Sequence, residues 1–261
     1  MLRKLLLATA ALLTAVASTP AAAAPWVQMD VVDRDSGQWL PTHPWRGDSW
    51  VAGTPGHRYS VRLTNSSGER VLVVLSVDGV NAVTGETAHP SQAGYVLAPW
   101  ETAEIAGWRK SFDDIAQFVF TERHGSYASR TGRPRNVGVI GIAVFRQASQ
   151  VHVPHPPAPP VAKGPGFDRE EARANTPSSA SEAARSVAAQ GIGTGHGPRE
   201  WAPVGQTHFV RASGRPSQIS ELRYDEPWRM ARLGIIAQPY RSAAGETSPR
   251  AFPAGFVPDP H

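Results

Sequence analysis

Proline and glycine interrupt this sequence so often that a helical fold is disfavoured. Of its 261 residues, 24 are glycine and 24 are proline. Proline lacks the backbone N–H that a helix interior requires, and glycine loses the most conformational freedom on ordering, so both concentrate in turns. From Trp26 to about Arg146 the runs between them are short and rich in β-branched side chains. This pattern predicts an all-β domain built from short strands.

Two of these runs have the clearest strand pattern. Residues 59–64 alternate between apolar and polar side chains, which is typical of a strand with one solvated face. Residues 70–77 are almost continuously apolar, which predicts a central strand buried on both faces. The polar residues 65–68 lie between the two runs, so we expect an antiparallel hairpin.

The remaining runs complete a sandwich. We expect five further strands, at residues 27–32, 94–97, 102–106, 115–121 and 137–145. Only residues 111–116 look helical, as a single turn between strands. The separations suit an antiparallel β-sandwich or jelly roll of about seven or eight strands.

The N-terminus has the order of a secretory signal peptide. Arg3 and Lys4 precede an apolar run at residues 5–17, and a stretch of small residues follows it. Cleavage after Ala23 places Ala21 and Ala23 in the positions that signal peptidase reads. Because the sequence contains no cysteine, it has no disulfide framework, and we expect a bacterial protein of the periplasm or the extracellular space.

Charge and composition argue against several classes of partner. Loss of Arg3 and Lys4 lowers the formal net charge from +4 to +2, and basic residues are interspersed with acidic ones. Nucleic-acid binding needs a basic stripe and a reader motif, and neither is present in the sequence. No second apolar run approaches the roughly 20 residues that span a bilayer, so we expect no transmembrane segment in the mature chain. We expect no cofactor and no metal, because the histidines are scattered and no cysteine is available.

Changes in composition divide the chain into segments. These are a signal peptide (1–23), a β-sandwich domain (24–147), a Pro/Ala-rich disordered linker (148–190), a small β module (191–238) and a disordered tail (239–261). The module contains three strand-like runs, at residues 208–211, 219–224 and 230–236. It has so few apolar residues that it must pack on the sandwich or find a partner.

Two short motifs suggest chemistry but are better explained as turns. Residues 191–197 are rich in glycine, yet they follow the linker and precede Pro198, so they are read as a tight turn entering the module. Gly47-Asp48-Ser49 occurs in some serine esterases, but the α/β alternation that such enzymes need does not occur around it. We therefore expect a polar loop there and assign no catalytic residues.

Tryptophans supply the candidate ligand contacts. Trp39, Trp45 and Trp50 lie in a region rich in proline and glycine, where little regular structure is expected to bury them. Trp108 is followed by Arg109, and tryptophan and arginine dominate many binding surfaces. For Trp108 the favoured interpretation is a core side chain whose neighbouring cations reach solvent.

Several stretches of the sequence resemble a family of exported proteobacterial proteins with a β-sandwich-like domain and no established activity. These stretches are residues 58–65, 71–81, 94–97, 105–111, 126–134, 136–141, 192–197 and 223–225. The resemblance supports the division into domains and implies no catalytic residues.

These observations favour an exported, non-enzymatic protein of the bacterial envelope that acts as a binding or structural module. Its partner would be an envelope protein or a glycan. The alternative is a secreted carbohydrate-active or other hydrolytic enzyme with a cleft lined by Trp39, Trp45, Trp50 and Trp108. A concave pocket with converging carboxylates or a His–carboxylate pair would favour the enzyme.

The signal sequence leads to a direct prediction. In export-competent bacterial cells the mature chain should begin at Ala24, because cleavage after Ala23 satisfies the small-residue rule and leaves Pro25 one position further on. N-terminal sequencing of the exported protein checks this. Exported material that still begins at Met1 would contradict it.

Overall fold

The computed structural model of the protein describes residues 24–149 and 190–237. The predicted signal peptide, the predicted tail and all but the ends of the predicted linker lie outside the described residues. Within the described part, strands dominate and the all-β prediction is confirmed.

The described residues form fourteen strands and two short helices, with short 3₁₀ turns at Arg123–Gly125 and Pro134–Asn136. In chain order the elements are β1 (Val27–Asp33), β2 (Gln38–Leu40), β3 (Thr42–Trp45), β4 (Asp48–Ala52), β5 (Arg58–Asn65), β6 (Val71–Val77), β7 (Val80–Asn81), β8 (Tyr95–Leu97), β9 (Thr102–Ile105), β10 (Gly107–Arg109), β11 (Asp114–Glu122), α1 (Tyr127–Arg130), β12 (Val139–Arg146), β13 (Ile192–Trp201), β14 (Gln218–Asp225) and α2 (Pro227–Arg232).

The strands form two seven-stranded sheets that pack face to face. The first sheet has the order β10-β11-β5-β1-β2, with β13 paired to β11 and β9 paired to β5. The second has the order β3-β4-β14-β12-β6-β7, with β8 paired to β6. All pairs are antiparallel except β14 with β4. A continuous apolar core lies between the sheets, as expected for a sandwich.

Aromatic rings fill the centre of this core. The ring of Tyr59 lies 4.1 Å from that of Phe120 and 5.4 Å from that of Phe118, in both cases stacked. Phe118 and Phe120 are two residues apart on β11, so both side chains point to the same face of the sheet. Trp108 packs edge-on against Phe118 at 4.8 Å. This aromatic cluster contributes to the core through its large buried area.

The prediction that residues 70–77 form a strand buried on both faces is confirmed, and the strand begins at Val71. Val73 lies in the core between the sheets and is fully buried. Leu72 and Val74 point the other way, into a smaller apolar cluster with Phe145. Phe209 packs over this second cluster and covers the outer face of the sheet.

The predicted hairpin between β5 and β6 is wrong, because the two strands belong to different sheets. β5 pairs with β1 and β9, whereas β6 pairs with β12. Buried Asn65 stabilises the segment that passes from one sheet to the other. Its Nδ2 donates to the backbone oxygens of Glu69 and Ala98, each at 2.7 Å. Hydrophobic periodicity shows which face of a strand is buried, but it does not show which strand lies beside it.

The single helical turn predicted at residues 111–116 is also wrong. Ser111 Oγ accepts hydrogen bonds from the backbone N–H groups of Asp113 and Asp114, at 3.1 and 3.0 Å. This side chain closes a turn, and from Asp114 onward the chain belongs to β11. Pairing with β10 and β13 on both sides outweighs the weak local helix preference.

The segment predicted as a small C-terminal module supplies one strand to each sheet. β13 pairs along the whole length of β11, and β14 lies between β12 and β4. Of the two alternatives for this segment, packing on the sandwich is the one observed. The sheets are incomplete without it.

The turn predicted at residues 191–197 is wrong, since most of this stretch belongs to β13. Glycine is needed here because β13 lies against crowded side chains. A Cβ at Gly193 would lie 2.4 Å from Val137 Cγ1, and one at Gly197 would lie 2.7 Å from Val119 Cγ2. The glycines therefore permit a close approach between elements and do not mark a turn.

The other two strands predicted in this segment also differ from the structure. Residues 208–211 form no strand, and only Arg211 makes an isolated bridge, to Gln147. Residues 230–236 contain the end of α2, which begins at Pro227 and buries Met230. The helix ends at Arg232, and Gly234 follows it with φ +74°. Gly234 N donates to Ala231 O, and the next N–H donates to Met230 O. Proline at the start and glycine just past the end are typical of a helix. No helix among the described residues is long and apolar enough to cross a membrane.

We expect Val73→Asp to lower the free energy of unfolding by at least about 3 kcal/mol, because the carboxylate would be buried without a partner. Val210→Asp is the matched control: Val210 is 51% exposed, so the same change there should cost about 0.5 kcal/mol or less. Urea denaturation of both variants measures the difference. Equal small effects would show that β6 is not a core strand.

Candidate functional site

The described structure contains an open groove of about 1350 Å³. It is lined by residues 83–84, 93–97, 101, 103–105, 109–112 and 202–208. The volume exceeds the roughly 300–1,000 Å³ of a typical small-molecule pocket. The shape therefore suits an extended ligand better than a compact one.

Two strands with an unpaired edge line this groove, one from each sheet. β8 pairs only with β6, and β9 pairs only with β5, so within the described residues the other edge of each strand has no partner strand. Edge strands present a row of backbone N–H and C=O groups that can pair with another chain. The groove thus brings two such edges to one surface.

Residues 202–208, here called the strap, form one wall of the groove. The strap follows β13 and is tied to the turn before β11: Ala202 N donates to Asp113 O at 2.6 Å, and Val204 N donates to Phe112 O at 2.8 Å. Further along, Arg70 Nη2 donates to Thr207 Oγ1 at 3.1 Å. The strap is therefore anchored at both ends.

Arg109 and Tyr95 form a polar anchor inside the groove. Arg109 Nη1 donates to the backbone oxygen of Ala202, which fixes the guanidinium against the strap. The Tyr95 hydroxyl and Arg109 Nε are both buried without a hydrogen-bond partner in the described part of the chain. Burial raises the pKa of Tyr95, and the neighbouring Arg109 acts in the opposite direction.

The rest of the lining is partly apolar and partly charged. Phe112 is 55% exposed and lies at the rim beside Val204, which gives an apolar contact surface. Two carboxylates also line the groove, but the structure uses both: Glu104 Oε1 accepts from Ser60 Oγ at 2.6 Å, and Glu101 Oε2 accepts from the backbone of Ala98 at 2.6 Å. The groove thus offers apolar and charged contacts to a ligand, whereas its two carboxylates form hydrogen bonds within the protein.

Of the five residues that the sequence suggests as ligand contacts, only Arg109 lines the groove. Trp108 is buried in the core against Phe118 and Tyr127, as the favoured interpretation had it. Trp50 is also buried, on β4 beside β14. Neither buried tryptophan can contact a ligand at the surface.

The other two tryptophans lie at sheet edges. Trp39 on β2 is 56% exposed, with the guanidinium of Arg62 4.7 Å above its ring. Trp45 on β3 packs edge-on against Trp50, with 6.2 Å between the ring centroids. The guanidinium of Arg46 lies 4.5 Å from the centroid of the Trp45 ring. The four tryptophans therefore do not form a common cleft. Tyr95 and the strap were missed from the sequence, because a buried hydroxyl without a partner has no pattern that a single sequence reveals.

A second cluster, at the end of β1, contains two carboxylates and a histidine. Asp33 Oδ2 lies 2.7 Å from His57 Nδ1, and one ligand atom each of Asp33, Asp35 and His57 fall within 4.8 Å of one another. Burial acts to raise the pKa of Asp33, but hydrogen bonds from the backbone of Ser36 and Asp35 and from His57 outweigh it and lower the pKa.

These groups are already satisfied by the protein. Arg58 donates through Nε to Asp35 Oδ1 at 2.8 Å and through its backbone N–H to Asp35 Oδ2 at 2.6 Å, and the guanidinium holds the pKa of Asp35 below its ordinary value. A metal ion would have to displace a guanidinium from Asp35 and compete with the donors on Asp33. The cluster fits a structural role at the turn after β1.

A third cluster is buried between the sheets and centres on Asp78. Asp78 Oδ1 accepts from Gly138 N at 2.8 Å and from the Tyr224 hydroxyl at 2.6 Å, while Oδ2 accepts from Thr194 N at 2.7 Å. Thr194 Oγ1 lies 2.6 Å from the Tyr224 hydroxyl and 2.5 Å from that of Tyr59. With the Tyr224 proton directed at the carboxylate, Thr194 donates to Tyr224 and Tyr59 donates to Thr194.

The position of Asp78 is fixed by a tight turn. Asp78 and Gly79 have φ of +53° and +74° and connect β6 to β7, which is the backbone of a type I′ hairpin. Burial raises the pKa of Asp78 to about 6, although its hydrogen bonds act to lower it. Every partner of this carboxylate is itself buried, so the cluster is out of reach of a ligand.

No protein-family model, curated protein or solved structure matches this chain. The site must therefore be interpreted from its own geometry.

The buried carboxylate gives the protein a predictable pH dependence. Because the pKa of Asp78 is about 6 when folded and near its ordinary value of 3.8 when unfolded, the folded state binds the extra proton. Its contribution to stability is present at low pH and is lost as the pH rises through 6. The quantity to compare is the difference in free energy of unfolding between the wild type and Asp78→Asn. We expect this difference to fall by about 2 kcal/mol between pH 4 and pH 7.

Urea denaturation of both proteins at the two pH values measures this change. Taking the difference cancels the opposing titrations of Asp33, Asp35 and the other carboxylates that both proteins share. A difference that is the same at pH 4 and pH 7 would show that Asp78 does not titrate in this range.

Proposed function

We propose that the protein is an exported, non-enzymatic binding module of the bacterial envelope, and that its groove holds an extended polypeptide. The observation that carries this proposal is the pair of unpaired strand edges, β8 and β9, that line the same groove. A bound strand would add to one of these edges through main-chain hydrogen bonds, a recurring mode of peptide recognition.

The chemistry of the groove supports a polypeptide partner. Main-chain pairing supplies affinity for an extended chain, and the exposed ring of Phe112 supplies an apolar contact for one of its side chains. Arg109 lines the groove and supplies a positive charge for a carboxylate of the bound chain. A glycan offers no backbone that could pair with a strand edge.

The export part of the proposal rests on the sequence. The basic, apolar and small-residue order of residues 1–23 is that of a secretory signal, and the absence of cysteine suits a bacterial envelope protein. Such a location would give the groove access to envelope proteins.

The hydrolase alternative has one observation in its favour, the hydrogen bond between Asp33 and His57. A carboxylate that orients an imidazole is half of a nucleophile–base arrangement. The pair does not line the groove, however, and within the described residues no hydroxyl group hydrogen-bonds to His57. The binding function is therefore the one we favour.

Selection from a random peptide library on the purified full chain tests the proposal. We expect enriched peptides that slow amide hydrogen exchange in Tyr95–Leu97 or Thr102–Ile105, because a bound strand would protect the amides at that edge. Failure to enrich any peptide, or protection confined to other strands, would contradict the proposal, and so would selective binding of a glycan panel.

A matched pair of variants locates the contact. Phe112→Ala should weaken binding of an enriched peptide about tenfold, a loss typical of an aromatic side chain that anchors a partner. Trp39→Ala removes an aromatic ring of almost the same exposure, 56% against 55%, but outside the groove, and should change binding less than about twofold. A larger loss of binding in Trp39→Ala than in Phe112→Ala would show that the peptide binds at the β2 edge instead of in the groove.

A further inference from the structure

A second cavity lies beside α1 and shares no lining residue with the groove. Its volume is about 280 Å³, and it is lined by Tyr127, Arg130, Thr131 and His196. The first three belong to α1 and its C-terminal end, whereas His196 lies on β13 at the edge of the first sheet. The size is close to the lower limit of ligand pockets, so it suits a small group.

The charge around this cavity is strongly positive. Residues 123–136 contain four arginines and no aspartate or glutamate. The Arg130 guanidinium lines the cavity and makes no ion pair or side-chain hydrogen bond within the described residues. The guanidinium of Arg133 lies 5.9 Å above the ring of Tyr127. Within the described residues, no carboxylate pairs with either of these two cations.

The walls of the cavity are held in place before any ligand binds. The ring of Tyr127 packs 5.2 Å from that of Trp108 in the core and 5.8 Å from the imidazole of His196. Thr131 Oγ1 donates to the backbone oxygen of Tyr127 at 2.8 Å. The loop after α1 is anchored by Arg123, which donates to the backbone oxygens of Pro134 and Gln190. A site of this kind loses little entropy on binding.

We infer that this cavity binds a phosphomonoester group. Arginine is the side chain best suited to phosphate, because its planar fork of donors matches the phosphate oxygens. A phosphomonoester carries a charge of about −1.5 to −2 at neutral pH, which matches two guanidinium groups better than a carboxylate with a single charge does. The imidazole of His196 supplies a further hydrogen-bonding group at the wall.

The phosphomonoester could belong to a small soluble molecule or to a lipid headgroup, and the test separates these sources. Amide chemical shifts of the full chain are followed by NMR during titration with inorganic phosphate and with glucose 6-phosphate. Vesicles of phosphatidylcholine with and without phosphatidic acid are tested by co-sedimentation. We expect saturable shifts at Tyr127–Arg130, at Thr131 and around His196, or co-sedimentation that requires phosphatidic acid. Binding of the soluble phosphates alone assigns a small molecule, and binding of the vesicles alone assigns a lipid.

Charge reversal at two exposed arginines provides the decisive comparison. Arg130→Glu should weaken binding at least tenfold, because it places a carboxylate in the cavity wall. Arg135→Glu makes the same change in the same basic segment but outside the cavity, and it should weaken binding less than twofold. Equal loss in both variants would show a general attraction to anions and overturn the inference. So would the absence of a saturable shift and of vesicle binding in the wild type.

Discussion

The buried hydrogen bonds of Asp78 are the constraint on which the rest of this sandwich depends. They join the turn after β6, the entry to β12, and strands β13 and β14, and Thr194 links them to Tyr59 on β5. The network therefore ties both sheets together at one point. A buried carboxylate that loses its donors costs more than the hydrogen bonds themselves are worth, so these segments must assemble together. This is why the C-terminal strands belong to the sandwich.

The positions of β13 and β14 also determine which strand edges are open to a partner chain. β13 covers one side of β11, and β14 occupies the position between β12 and β4, so these strand edges are paired. β8 and β9 are short and lie where neither C-terminal strand reaches, and the strap crosses beside them without pairing. Proteins commonly cover or disrupt exposed strand edges, because unpaired edges favour aggregation. Among the described residues, two strand edges without a partner thus lie in one groove, which is consistent with a surface kept open for a partner chain.

The cationic cavity beside α1 has a different physical origin. It forms where a basic loop closes the edge of the sandwich and the ring of Tyr127 is inserted against the core. Its arginines are scattered among glycine, serine and proline in the sequence, so the spacing shows neither a helix face nor a strand face. Only the folded loop brings Arg130 and His196 to one wall.

The sequence by itself determined the most regular strands and the faces that they bury: the apolar run of β6 and the predicted strands at residues 27–32, 115–121 and 219–224 all correspond to observed strands. Local side-chain patterns suffice for this, because burial of one or both faces imposes a period on the residues. Tertiary structure alone decided that β5 and β6 lie in different sheets, that a glycine run serves as a strand, and that Tyr95 meets Arg109 in a groove. These features depend on contacts between residues far apart in the chain, such as Asp78 with Tyr224, and no local pattern encodes them.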